Sequence, residues 1–224
     1  MCRIIESCRD SPVVHAVADG MKQVLVVDLY VDPKFKRQFK KLVDRIGEIG
    51  GNVATSDFES FPSMDPTALK GLYSGVVLSG TEALYTRTAD RTKFAGLIEY
   101  LPKVDLPILG ICGGHQALAL AYGGTVTKSA HTVLGYRTIN LEDKDTLLAS
   151  LPAKIRVMES HKEEVKLLPP GFLRIATSSE SRNEGMRHEQ RLIYGVQFHP
   201  ERWNKENQAG KQILENFLQR IVTA

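Results

Sequence analysis

The sequence is poor in cysteine: 224 residues hold only Cys2, Cys8 and Cys112. An odd count without metal-ligand spacing argues against a disulfide framework or a cysteine zinc site and for free thiols in a reducing cytoplasm. Cys2 and Cys8 lie on a polar leader and read as surface thiols without a role. Long apolar runs are also missing; none approaches the roughly 18–20 residues that span a bilayer. The first 20 residues mix charges into their apolar stretch and lack the hydrophobic region of a signal peptide. Neither sign of charge dominates. Lys and Arg total 29 against 26 Asp and Glu, a net charge of +3, and the two signs are interspersed, so no nucleic-acid stripe is expected. There is no GxxxxGK[ST] loop, hence no expected means of activating an acceptor with ATP within this chain.

What is present is enough apolar material for a sizeable core: 42% hydrophobic residues beside 25% charged ones. Short β-rich runs alternate with helical stretches. Strands are expected at residues 23–30, 53–56, 75–79 and 107–111, with helices over 34–49, 89–101 and 114–122. This βαβα order predicts an α/β fold: a mostly parallel central sheet flanked by helices. From residue 125 the texture changes. Short strands are expected at 125–128, 137–141, 155–159, 172–177 and 192–198, giving a smaller antiparallel β portion. A hairpin loop is expected around Glu189-Gln190 and a last helix over about 207–222. Residues 1–20 read as an N-terminal extension and 21–224 as a single domain.

The chemistry concentrates in GICGGHQ, residues 110–116. A strand, a Gly-x-Cys-x-Gly turn and then a helix is the layout of a nucleophile elbow with cysteine in the serine's place. Gly110 and Gly114 stand two before and two after Cys112, where the close approach of the chain excludes side chains. The helix that starts here aims free N–H groups at the sulfur and favours thiolate. The N–H of Gly113 can serve as one oxyanion donor. The competing reading is a small buried cysteine with glycine neighbours.

A thiol acting on an amide needs a base. Among the six histidines, His199 stands out because it ends the run LIYGVQF and precedes Pro200 and Glu201. In extended chain, residues two apart face one side, so Glu201 can accept one imidazole N–H and set the tautomer. The alternative is a strand-end His-Pro turn with a solvated glutamate. His115, one turn beyond Cys112, is expected to pack or cap. His188 is expected to be solvated in the polar stretch 184–191, while His131 and His161 stay open as pocket residues.

GICGGHQ together with YGVQFHPE resembles the class I glutamine amidotransferases, with their G-x-C-x-G-x-Q elbow and terminal H-P-E. The resemblance covers roughly residues 22–222 and implies their flavodoxin-like fold. Within the family the nearest likeness is to the glutaminase part of GMP synthetases: FHPERWNKENQAGKQILENFL is similar to its tail, and SHKEEV, residues 160–165, to its S-H-G-D-x-V. The resemblance implies a Cys112, His199 and Glu201 triad that attacks the side-chain amide of L-glutamine, releases ammonia and leaves a γ-glutamyl thioester for water to hydrolyse. Gln116 and the 159–162 segment, with Ser160 and His161, would hold the substrate. Gly80 aligns with the turn that supplies the second oxyanion N–H. No cofactor and no metal are implied.

One departure stands out. Where the family has Gly-Gly-Pro, this chain has Gly80-Thr81-Glu82. Threonine resists positive φ, which raises the expectation of a differently oriented peptide, a weakened oxyanion hole and a partner that resets it. Three readings follow: a glutaminase subunit handing ammonia to a separate synthase, a γ-glutamyl amide or peptide hydrolase using the same residues, and a weakly active regulatory or binding protein on this fold.

Overall fold

The structure is a computed structural model and describes residues 22–144 and 146–223. The first 20 residues, with Cys2 and Cys8, lie outside them. One nine-stranded sheet runs through the molecule in the order β2-β1-β3-β4-β9-β8-β7-β5-β6. Its strands are β1 (Gln23–Asp28), β2 (Val53–Asp57), β3 (Tyr73–Leu78), β4 (Ile108–Ile111), β5 (Thr125–Leu141), β6 (Lys154–Leu167), β7 (Phe172–Thr177), β8 (Gly185–His188) and β9 (Ile193–Val196). From β2 to β9 through β4 the neighbours are parallel; from β9 to β6 they are antiparallel. The expected parallel and antiparallel portions are therefore halves of one sheet.

The helices are α1 (Lys36–Glu48), α2 (Leu69–Leu72), α3 (Thr88–Lys93), α4 (Ala95–Tyr100), α5 (Gly113–Ala121) and α6 (Ala209–Asn216). They cover both faces of the parallel half, so its strands are apolar on both sides. Val24 and Val26 of β1 pack with Leu42 and Ile46 of α1 and with Ile213 and Phe217 at the C-terminal end. Leu25 and Val27 pack on the opposite face with Leu97 of α4 and Leu118 of α5. Among the described residues, no helix is long and apolar enough to cross a membrane.

Three expectations need correction. The single helix over 89–101 is two, because the chain leaves helical geometry at Phe94 (ψ 4°), whose buried ring packs against Phe58 and Tyr85. The short strands at 125–128, 137–141 and 155–159 are parts of two long strands, β5 and β6, paired along most of their length. Inward positions of β6 alternate without a break, but Glu159, His161 and Glu163 fill three of them, and their polarity hides the period. The polar stretch 184–191, expected to leave His188 solvated, contains β8, and Glu184 before it is fully buried.

Candidate active site

Cys112 follows β4 and N-caps α5 with φ 49° and ψ −101°, a region that costs a non-glycine residue on the order of 1–3 kcal/mol. Three backbone bonds hold it there: Cys112 N–H donates to the Val196 carbonyl (2.8 Å), Gln116 N–H to the Cys112 carbonyl (3.1 Å) and Gly114 N–H to the Ser79 carbonyl (3.0 Å). The flanking glycines answer to space. A Cβ at Gly110 would sit 2.6 Å from the Gly114 carbonyl group, and one at Gly114 would sit 2.7 Å from Leu78 of β3. Strand and helix meet here at backbone distance.

His199 arrives just after β9, the strand that pairs directly with β4. Its N–H donates to the Met158 carbonyl at 2.8 Å, which locks it to β6. Nδ1 lies 2.7 Å from Glu201 Oε1, leaving Nε2 toward the cleft that Cys112 also lines. The pairing does not come about through the expected extended backbone. Residues 200–202 make a 3₁₀ turn begun by Pro200, and the turn brings the carboxylate under the ring. His199 and Glu201 are both 3% exposed. Burial disfavours the imidazolium, but the Glu201 carboxylate and the Cys112 thiolate outweigh it and push His199 up to about 10. For Glu201, burial raises the pKa, and His199 and Arg202 outweigh that and hold it below the usual carboxylate range.

These side chains open onto a cleft of about 250 Å³ lined by Tyr30, Thr81, Gln116, Ser160, Lys162 and Arg202 among others. The Ser160 carbonyl lies 3.8 Å from the sulfur. Gln116 lines the cleft while its amide donates to the Glu163 carbonyl (2.8 Å) and to Gln197 Oε1 (3.2 Å). His161 also lines it, but Nδ1 turns back to the Glu163 carbonyl at 2.9 Å.

Gly80 sits above the pair. A Cβ there would lie 3.0 Å from His199 Cε1 and 3.1 Å from the Tyr30 hydroxyl, so any side chain would press on the ring and the hydroxyl. Neither Gly80 nor Thr81 adopts a left-handed φ, which removes the strain expected of Thr81. The turn is tied down instead: Glu82 accepts from the N–H groups of Val31 (3.2 Å) and Asp32 (2.7 Å). Thr81 packs directly on Gly113, where an added Cβ would meet its side chain at 2.5 Å and its backbone nitrogen at 2.8 Å.

Sequence reasoning passed over several neighbours. Gln197, two residues before His199, donates to the sulfur at 3.6 Å; its position on the same face as His199 was the available signal. Tyr30 closes the far wall, and burial pushes its hydroxyl pKa up, which keeps it a neutral donor. His115 packs as expected: its ring is buried, Nε2 meets the Asn183 carbonyl at 3.1 Å, and burial lowers its pKa to about 3. His188 is not simply solvated; its ring packs edge-on against Phe172 and Tyr122, and Nδ1 accepts from the N–H groups of Gln190 and Arg191. His131 stays at the surface, bound to Glu180.

The model of glutamine amidotransferase class-I matches residues 34–221, from just before α1 to the C-terminal turn, and takes in the cleft lining apart from Tyr30. The chain belongs to the class-I glutamine amidotransferase family. Its relatives include a glutamine-hydrolysing GMP synthase subunit of Methanosarcina barkeri, 44% identical over 148 residues, covering 65% of this chain and 72% of that one. The corresponding subunit of Pyrococcus abyssi is 39% identical over 163 residues, 73% of this chain and 80% of that one. Among solved structures, a Thermoplasma acidophilum protein assigned as a GMP synthase subunit superposes with a TM-score of 0.75 at 29% identity, over 90% of this chain and 94% of that one. A Thermotoga maritima glutamine amidotransferase, 20% identical with a TM-score of 0.69 over 92% of this chain and all of that one, shares the fold. The α/β sheet with its elbow is thus the amidotransferase scaffold.

Proposed function

We propose that this chain is the cytoplasmic glutaminase subunit of a two-protein amidotransferase of the GMP synthase type. Cys112, His199 and Glu201 act as its triad, and ammonia passes to a separate synthase. The observation that carries this reading is the strained elbow of Cys112 on one cleft with a buried His199 whose Nδ1 lies 2.7 Å from Glu201.

In the resting pair the thiolate is stabilised by the imidazolium and by the N-terminus of α5. The sulfur attacks the side-chain carbonyl carbon of glutamine. The resulting oxyanion is met by the N–H of Gly113 and by the 80–81 peptide. His199 gives its Nε2 proton to the departing nitrogen, which leaves as ammonia, and a γ-glutamyl thioester remains on Cys112. His199, now neutral, takes a proton from water, which attacks the thioester; collapse releases glutamate and regenerates the thiolate–imidazolium pair. Glu201 keeps Nδ1–H oriented through both halves. Gln116 and the 159–162 segment hold the substrate, with Lys162 and Arg202 supplying positive charge at the cleft mouth for its α-carboxylate.

The test is ammonia release from L-glutamine, with and without a GMP synthase-type ATP-pyrophosphatase partner, beside Cys112→Ala. Glutamine-dependent ammonia formation that vanishes in the variant supports the proposal. Preferential release of amines from γ-glutamyl amines would turn it toward a γ-glutamyl hydrolase, and failure of Cys112 to react with a glutamine-derived chloroketone toward a non-catalytic role.

A further inference from the structure

Next to the cleft, but outside the triad, three ionisable side chains meet in the interior. Glu159 and His161 are two apart on the inward face of β6, and Glu184 comes from the turn before β8; their exposures are 0%, 5% and 0%. One donor atom from each lies within 4.8 Å of the others.

Donors and acceptors do not match here. His161 Nδ1 is 2.9 Å from the Glu163 carbonyl; a carbonyl only accepts, so Nδ1 carries the hydrogen and a neutral ring presents a bare lone pair at Nε2. That lone pair faces Glu159 Oε2 at 3.2 Å, so two acceptors look at each other. Among the described residues, and with both carboxyls ionised, His161 Nε2, both oxygens of Glu159 and Oε2 of Glu184 have no donor; a proton on one carboxyl would let Glu159 and Glu184 hydrogen-bond each other. The remaining Glu184 oxygen accepts from Ser178 Oγ. The nearby guanidinium of Arg137 is already directed at Glu180, 3.3 Å away. Ionised without a cation beside them, the two buried carboxylates would cost several kcal/mol each.

We propose that Glu159, His161 and Glu184 bind one divalent transition-metal ion of the zinc type. A dication balances the two carboxylates while the imidazole stays neutral, as a ligand must be. The outer contacts are those of a metal site: Nδ1–H to a backbone carbonyl and a hydroxyl to the outer carboxylate oxygen. One imidazole and two carboxylates form a hard-to-borderline set that zinc accepts, with a fourth position for water or a second carboxylate oxygen. Bonds of about 2.0–2.2 Å at a tetrahedral angle place two donors about 3.3–3.6 Å apart, so donors near the 4.8 Å limit would have to close in by about an ångström. The ion would pin the middle of β6, where the Met158 carbonyl holds the His199 backbone and the Ser160 carbonyl adjoins the sulfur. It is a structural ion beside the reaction centre, and its binding does not depend on the proposed glutaminase activity.

The experiment uses the full chain with Cys2, Cys8 and Cys112 replaced by alanine, so that no thiol can hold the probe. Metal-depleted protein is titrated with Zn²⁺ and, for spectroscopy, with Co²⁺. Expected are about one equivalent per chain, a cobalt spectrum without thiolate charge transfer, a thermal midpoint several degrees higher, and affinity at least tenfold weaker in Glu184→Gln. Should that variant fail to fold, Ser178→Ala, which removes the outer contact along with the hydroxyl's bonds from the N–H groups of Glu180 and Ser181, is expected to weaken binding about 10-fold or more. Absence of stoichiometric binding, or binding unchanged in the variants, overturns the site and leaves the cluster held by shared protons.

Discussion

At the scale of single residues, the backbone of Cys112 stores strain of the kind the proposed nucleophile would need. Its φ of 49° suits glycine better than any side chain. Replacing it by alanine removes the sulfur but keeps the strain; replacing it by glycine removes both. Both variants are expected to lose glutamine hydrolysis by about 10⁴-fold or more. Cys112→Gly should also be more stable than Cys112→Ala by about 1–3 kcal/mol in urea unfolding, and equal stabilities would show that the turn is relaxed. Glu201 sets the proton on His199. Because the folded-state pKa of His199 is raised to about 10, its contribution to stability is full below about 6.5 and disappears as pH rises through about 10. The alkaline limb of kcat/KM belongs near the same value. In Glu201→Gln burial prevails, so that limb should move toward lower pH and the rate should fall about 10²–10⁴-fold. A pH–rate profile on both proteins decides this, and an unmoved limb would assign the proton elsewhere.

At the scale of elements, two contacts place the site: α5 against β3 and β4, and residue 199 against β6. In the first, glycine permits backbone contact. Gly114→Ala puts a methyl 2.7 Å from Leu78 and should destabilise the fold by about 1–3 kcal/mol or more while lowering activity, because α5 carries both Gly113 and Gln116. Gly47 in α1 has nothing within 4 Å of its added Cβ. Gly47→Ala should therefore stabilise by about 0.5–1 kcal/mol with activity unchanged; parallel thermal melts of the two variants check the contrast. In the second contact, β6 carries Glu159, His161 and Glu163 on its inner face. Glu163 is satisfied by the N–H groups of Tyr85 and Thr86 at 2.7 and 3.0 Å. That bond ties β6 to the loop after β3 and gives the cleft a rigid wall.

At the scale of the whole molecule, the parallel half supplies the elbow and the strand that ends in His199, while the antiparallel half supplies the wall and the long β5–β6 ribbon. The described core begins at Val24. Deleting residues 1–20 is expected to leave the thermal midpoint and glutaminase turnover within error of the full chain; a loss of several degrees would make them part of the fold. Since Glu82 holds the Gly80-Thr81 turn to the β1–α1 connection, a synthase that docks over this connection would act directly on the turn proposed to supply an oxyanion donor. Turnover is expected to rise when that partner is added, and equal turnover in isolation would mean that the turn is already set.

Much of this was readable residue by residue. The alternation of β1 to β4 with helices, the elbow at Cys112 and the placement of His199 after a buried strand all follow from local patterns: apolar runs, glycine spacing and a His-Pro-Glu ending. Those signals are short-range, and short-range chemistry enforces them. The length of β5 and β6, the strand at Gly185–His188 and the meeting of Glu159, His161 and Glu184 were not readable. Polar residues at inward positions erase the two-residue hydrophobic period, and residues more than twenty apart become neighbours only when antiparallel pairing sets the register. The chain order thus carried the identity of the reacting groups, whereas packing of the assembled sheet settled which polar groups were left buried without donors beside them.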